Sequence, residues 1–282
     1  MSASPCCGGT AATVASYRCR VAEHYWVNQR YKYIRLEADA PIAPITKAGQ
    51  FYQLKCPTAL GHEPFLLRPM SVYGAGPEEN RIEFLYNVTG VGTKAMATLP
   101  EGGYMDIVGP LGNTFTFNAR YRRILVVARG VGLATMAPLI KEASRAGVEI
   151  TAVMSARSPA DLMEKEFLRG ATADVRSVFD ADGSSSVEAV DGLIRKLIEE
   201  QRPNAVYTCG SQRLLMLLQR VLSDYPHITA EVAMEQHMAC GMGVCLSCVR
   251  MFDSDGDRRF LRVCREGPVF PIREVVGEVE FG

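Results

Sequence analysis

Two patterns of apolar and polar positions divide the chain. Up to about residue 118 the apolar residues come in short runs rich in β-branched and aromatic side chains, at 17–27, 31–39, 50–56, 81–89 and 104–109. Gly, Pro and Asn punctuate these runs, the signature of short strands closed by turns, and several at this spacing predict a small antiparallel β-barrel. A short helix is expected from Thr93, over 93–99. After Tyr121 the pattern changes. Apolar strands at 122–128, 148–157, 175–180 and 205–210 alternate with helical segments at 133–147, 161–170, 190–201 and 211–225. Strictly alternating strands and helices imply a parallel sheet with helices on both faces. From about 231 onward the pattern is loop-rich. The expected organisation is an extension over 1–12, a β-barrel over 13–118, an α/β nucleotide-binding domain over 119–230 and a small third domain over 231–282.

Composition narrows the classes. Hydrophobic residues make up 48% and charged residues 22%, as in a globular protein, and Lys+Arg and Asp+Glu balance at 31 each. No overall basic charge argues for nucleic acid. No apolar run reaches the roughly 18 residues of a bilayer span, and residues 1–16 lack the basic start and apolar core of a signal peptide. A cytoplasmic setting is expected, where disulfides are rare. Four of the nine cysteines nevertheless crowd into the last quarter of the chain, and clustering in a reducing compartment points to metal.

Their spacing is Cys240-x4-Cys245-x2-Cys248-x15-Cys264. The first three match the plant-type [2Fe–2S] pattern, with a distant fourth ligand. Gly241 and Gly243 suit a loop whose backbone must approach the sulfides closely. A structural zinc site is the competing reading, but it ordinarily uses two short Cys pairs, and here the last cysteine stands alone. The intervening segment predicts a hairpin turning at Asp255-Gly256. Asp253, Asp255 and Asp257 lack the remaining frame of a calcium loop and read as a solvated turn.

Three further signals concern nucleotides. Arg129-Gly130-Val131-Gly132 joins a strand to a helix and can aim backbone amides at a phosphate. Thr135 stands at the third glycine position of the dinucleotide fingerprint, so an ordinary tight turn is an equal reading. Arg68-Pro69-Met70-Ser71 offers a guanidinium fork and a hydroxyl. Gly90-Val91-Gly92-Thr93 opens the short helix, with Thr93 as an alternative cap. The histidines, His24, His62, His227 and His237, show no metal or triad spacing.

Taken in order, these segments, with 109–115, 209–216, 234–248 and 262–270, resemble the electron-transfer subunits of dihydroorotate dehydrogenase, within the ferredoxin–NADP reductase superfamily. The resemblance implies FAD held on the barrel by Arg68, Pro69, Met70, Ser71, Gly92 and Thr93, with Leu85, Tyr86 and Asn87 facing the flavin. It implies NAD(H) or NADP(H) beside Gly130, Gly132, Cys209 and Gly210, with Cys209 near the nicotinamide, and a [2Fe–2S] cluster on Cys240, Cys245, Cys248 and Cys264. The flavin joins a two-electron hydride donor to a one-electron cluster, and no acid–base residue is required for hydride transfer. The implied partner is a separate catalytic subunit, an FMN-bearing TIM barrel. Arg129 departs from the family's glycine run and could crowd or grip a dinucleotide. Arg157 and Ser158 leave NADH versus NADPH open. Cys6 and Cys7 lie outside the resemblance. Two alternatives stand beside this reading: a reductase subunit serving another dehydrogenase or reductase (of other pyrimidines, glutamate or sulfur compounds), and a non-catalytic redox sensor.

Overall fold

The computed structural model describes residues 14–277 apart from Glu79, Glu164 and Ala173. The expected extension over 1–12, with Cys6 and Cys7, lies outside the described residues. The first unit is built from β1 (Ala15–Trp26), β2 (Tyr31–Ala38), β3 (Phe51–Leu54), β4 (Arg68–Ser71), β5 (Gly74–Gly76), β6 (Arg81–Asn87) and β7 (Tyr104–Leu111), with α1 (Val91–Met96) between the last two. These strands form one curled antiparallel sheet in the order β4-β3-β7-β1-β2-β6-β5. Because successive strand residues face opposite sides, Tyr52 and Leu54 of β3 enter the core with Ile34, Leu36, Phe84 and Ile107. Phe51 leaves that core and packs with Cys248, Cys264 and Phe270 of the C-terminal segment.

The second unit follows with β8 (Arg123–Arg129), α2 (Gly132–Arg145), β9 (Glu149–Ala156), α3 (Lys165–Ala171), β10 (Asp174–Phe179), α4 (Val187–Gln201), β11 (Ala205–Cys209), α5 (Gln212–Ser223) and β12 (Thr229–Ala233). The sheet order is β10-β9-β8-β11-β12, parallel throughout, with β15 (Val269–Pro271) added antiparallel to β12. The apolar runs of β8 and β11 are buried on both faces, as a helix-covered parallel sheet requires. Strand order reverses direction between β8 and β11, and a crevice at such a reversal is where open α/β sheets bind ligands.

The C-terminal segment carries the hairpin β13 (Val249–Ser254) and β14 (Asp257–Arg262). Asp255 and Gly256 both have positive φ, 53° and 89°, the conformation a two-residue hairpin turn needs. This segment joins the nucleotide-domain sheet through β15. The α1 helix begins at Val91, two residues before Thr93, because Gly90 is still extended and Thr93 caps from inside the first turn. The helix expected at 161–170 is shorter in the structure: a 3-10 turn covers Pro159–Asp161, and α3 runs Lys165–Ala171.

Candidate functional site

The thiols come from a tight loop and from the end of the hairpin. Gly241, Gly243 and Leu246 have φ of 71°, 82° and 61°, and this left-handed backbone turns amides inward. Met242 N donates to Cys240 Sγ at 3.4 Å, and Cys264 N to Cys248 Sγ at 3.4 Å. Burial pushes the Cys240 thiol up, but the amides of Cys245, Met242 and Val244 outweigh it and hold the thiol below its ordinary value. The hydroxyl and amide of Ser247 bring exposed Cys245 down to about 6. Desolvation pushes buried Cys264 up to about 12.

Among the described residues no three His, Cys, Asp or Glu side chains converge on a single metal ion. The thiols stand instead as two pairs. Cys240 is hydrogen-bonded to Cys245, and Cys248 Sγ lies 3.2 Å from Cys264 Sγ. Two pairs of thiols suit a two-iron cluster, which Cys240 and Cys245 would hold on one side and Cys248 and Cys264 on the other. The all-thiol donor set and the inward amides fit the same group.

Arg68, at the start of β4, lays its guanidinium over the first turn of α1. A Cβ at Gly92 would lie 2.5 Å from Arg68 Nε, so the guanidinium occupies the space this glycine leaves open. Arg68 Nη1 is anchored on the carbonyl of Leu66 at 2.5 Å. Thr93 Oγ1 accepts from the amides of Thr89 and Gly90 at 2.9 and 3.1 Å, which fixes this loop. Pro69, Met70, Ser71, Leu85, Tyr86 and Asn87 border one cleft of about 410 Å³. The Tyr86 side chain belongs to the core of the curled sheet, where its hydroxyl meets His24 Nε2 at 2.8 Å. Buried Asn87 Oδ1 has no hydrogen-bond partner, an orphan that a bound ring donor would satisfy. Across the cleft stand Val131 and Thr135 of the nucleotide unit, with Glu235 and Met238 of the cluster segment.

A second cleft of about 330 Å³ opens at the strand reversal and shares Asn87 and Glu235 with the first. Gly130, Gly210, Arg129 and Arg157 line it. A Cβ at Gly132 would strike the Cys209 carbonyl, so the start of α2 packs directly on the end of β11. Cys209 is buried, with Sγ 3.9 Å from Glu235 Oε1. Desolvation raises both the thiol and the Glu235 carboxyl. Arg129 neither blocks the turn nor hangs free. Its two terminal nitrogens reach Asp180 at 3.1 and 2.7 Å, and Nη1 also donates to Ser155 Oγ at 2.7 Å. Arg129 and the Ser185 hydroxyl bring the Asp180 carboxyl down to about 2.

The structure therefore brings the Arg68 and Gly92 segments into contact, and it sets Gly130 and Gly132 beside Cys209 and Gly210. Arg157 lines the second cleft together with Arg30 and Arg129, and the hydroxyl of the neighbouring Ser158 donates to Asp161 at 2.8 Å. Neither Asp180 nor Gln53 is signalled by the sequence. The last is a lone polar residue in an apolar strand, for which the pattern carries no signal.

A curled flavin-reductase-type sheet, a reversed-order nucleotide sheet and a four-thiol loop define a ferredoxin-reductase-like protein with an iron–sulfur segment. Residues 235–276 match the family model described as the iron–sulfur cluster binding domain of dihydroorotate dehydrogenase B. The dihydroorotate dehydrogenase B (NAD(+)) electron transfer subunit of Desulforamulus reducens is 30% identical over 246 residues, covering 86% of this chain and 92% of the relative. That of Listeria innocua is 33% identical over 230 residues, covering 80% and 86%. The chain belongs to this family of electron-transfer subunits. Among solved structures, an NADH-dependent reduced ferredoxin–NADP oxidoreductase superposes with a TM-score of 0.76 at 24% identity, covering 96% of this chain and 92% of that one. The ferredoxin–NADP+ reductase of Plasmodium falciparum gives 0.58 at 12%, covering 74% and 90%. Both likenesses concern the fold.

Proposed function

We propose that this chain is the electron-transfer subunit of a dihydroorotate dehydrogenase, carrying FAD over 13–118, nicotinamide nucleotide over 119–230 and a [2Fe–2S] cluster over 231–282. The observation that carries the reading is the 410 Å³ cleft. It is bordered at once by Met70 and Ser71 of the curled sheet, Thr135 of the nucleotide helix and Met238 of the cluster segment. An isoalloxazine there would touch all three units. When bound, the flavin exchanges two electrons with a nicotinamide and one at a time with the cluster.

The residues have separable tasks. Arg68, packed over Gly92 and followed by Pro69, supports the flavin's pyrophosphate, with Thr93 fixing the loop beneath. Met70, Ser71, Leu85, Tyr86 and Asn87 shape the ring site. Gly130 and Gly132, with Cys209 and Gly210, clear backbone space for the nicotinamide nucleotide at the strand reversal. Cys240, Cys245, Cys248 and Cys264 hold the irons.

The preferred nucleotide is NADH. Asp180 takes the guanidinium of Arg129, so that cation is not free to grip an added 2′-phosphate, and the cleft's other cations are Arg30 and Arg157. The relatives' names support the same choice, since both read NAD(+). Electrons pass between this chain and its partner at the cluster loop. Met242, Val244 and Leu246, 45%, 81% and 59% exposed, form an apolar rim around the thiols. Such a rim suits docking of a separate catalytic subunit, by the family's pattern an FMN-bearing TIM barrel. No described helix is long and apolar enough to cross a membrane, and thiolate ligands favour a reducing compartment such as the cytoplasm.

Anaerobic purification with iron, sulfide and flavin quantified, followed by mixing with NADH or NADPH, tests the reading. The expected result is two irons and one FAD per chain, with the flavin bleached faster by NADH. A preparation that binds neither iron nor flavin would refute it. Co-purification with its catalytic partner tests the pairing, and full dihydroorotate turnover by this chain alone would overturn it.

A further inference from the structure

Gln53 is fully buried, and neither Nε2 nor Oε1 has a hydrogen-bond partner. Burying an unpaired amide is costly, so such a residue calls for a ligand that completes it. Its cross-strand neighbours, Pro69 on β4 and Val108 on β7, have no polar side chain to offer. Strand alternation turns Gln53 to the same side as Phe51, away from the core of the curled sheet and under the cluster segment. There it meets Gly241, the residue after the first thiol ligand. A Cβ on Gly241 would lie 2.6 Å from Gln53 Nε2 and 2.7 Å from its Cγ. The amide nitrogen is thus packed directly on the loop that wraps the irons. Its strand partner Pro69 belongs to the segment that borders the flavin cleft.

We propose that the Gln53 side-chain amide is a hydrogen-bond donor to the [2Fe–2S] centre, reaching it from the flavin-bearing sheet and raising its reduction potential. This rests on the cluster reading above. Reduction adds one electron to an already anionic centre. A donor from outside the thiol loop stabilises the more negative state, so its removal makes the cluster harder to reduce.

The test uses the full-length holoprotein, with Gln53→Met and Gln53→Leu compared with the parent in an EPR-monitored redox titration. The expected result is a cluster potential lowered by about tenfold in the one-electron equilibrium, ~59 mV, with the flavin couple unmoved. A loaded parent whose cluster potential is unchanged in both variants would overturn the assignment alone. A parent that binds no iron or sulfide would overturn the cluster reading and the assignment together. If neither variant folds, parent protein labelled with 15N in glutamine side chains decides: a hyperfine coupling from the amide to the reduced cluster supports the donor, and its absence overturns it.

Discussion

Asp180 closes β10 with both carboxylate oxygens on one guanidinium, that of Arg129. Hydrogen bonds to charged groups are worth about 1.5–3 kcal/mol, so removing the acid should release a cation into the second cleft. Asp180→Ala is expected to shift binding toward NADPH over NADH by about tenfold, measured by titrating both nucleotides against the bound flavin's fluorescence. The same pair has a defined pH dependence. The folded carboxyl titrates at about 2, below its ordinary 3.8. Its stabilisation is therefore complete above pH 4 and lost as pH falls toward 2. His24 behaves likewise at a higher window. Burial holds its imidazole below the ordinary 6.5, so its share of stability is whole above that value and fades as acid charges the ring. Chemical denaturation between pH 7.5 and 5.5 should show a decline that is smaller in His24→Gln. Single polar residues of this sort are poorly legible in sequence. Asp180, Gln53 and Glu235 sit in strands or loops whose apolar pattern is set by their neighbours. Their importance comes from what the fold brings opposite them.

Elements were more legible, because periodicity and turn chemistry act locally. The strand–helix alternation after Tyr121 and the Asp255-Gly256 hairpin follow from positions a few residues apart. The start of α3 is less so, since the 3-10 turn opened by Pro159 ends on Asp161, where the periodic pattern would begin the α-helix. The junction of α2 with β11 depends on one missing methyl group. Gly132→Ala would drive a Cβ into the Cys209 carbonyl, a backbone group that cannot step aside. Overpacking of this kind costs about 1–3 kcal/mol. The expected outcome is a lower midpoint in thermal unfolding and weaker NADH binding by calorimetry, with flavin content retained.

At the scale of the whole molecule, Asn113 ties the curled-sheet unit to the C-terminal segment. Its side-chain nitrogen donates to the carbonyls of Glu266 and Val269 at 3.0 and 2.8 Å, and its oxygen accepts from Val269 N at 3.0 Å. At about 1 kcal/mol for each net hydrogen bond, Asn113→Ala should cost about 2–3 kcal/mol. Loss of iron on gel filtration and a lowered unfolding midpoint would check it. The sequence shows Asn113 only within a family-like segment, 109–115. That it clasps residues more than 150 positions away is a property of topology, which local patterns do not encode.

The strand β15, running antiparallel along β12 from Glu231 to Ala233, has one more consequence. Deleting everything after Met234 to obtain a flavin-only fragment would uncover a row of buried backbone amides and carbonyls. Such a fragment would present an open template for strand addition and should precipitate or self-associate. A soluble minimal reductase cut from this chain would have to keep 269–271, even after every iron ligand had been replaced.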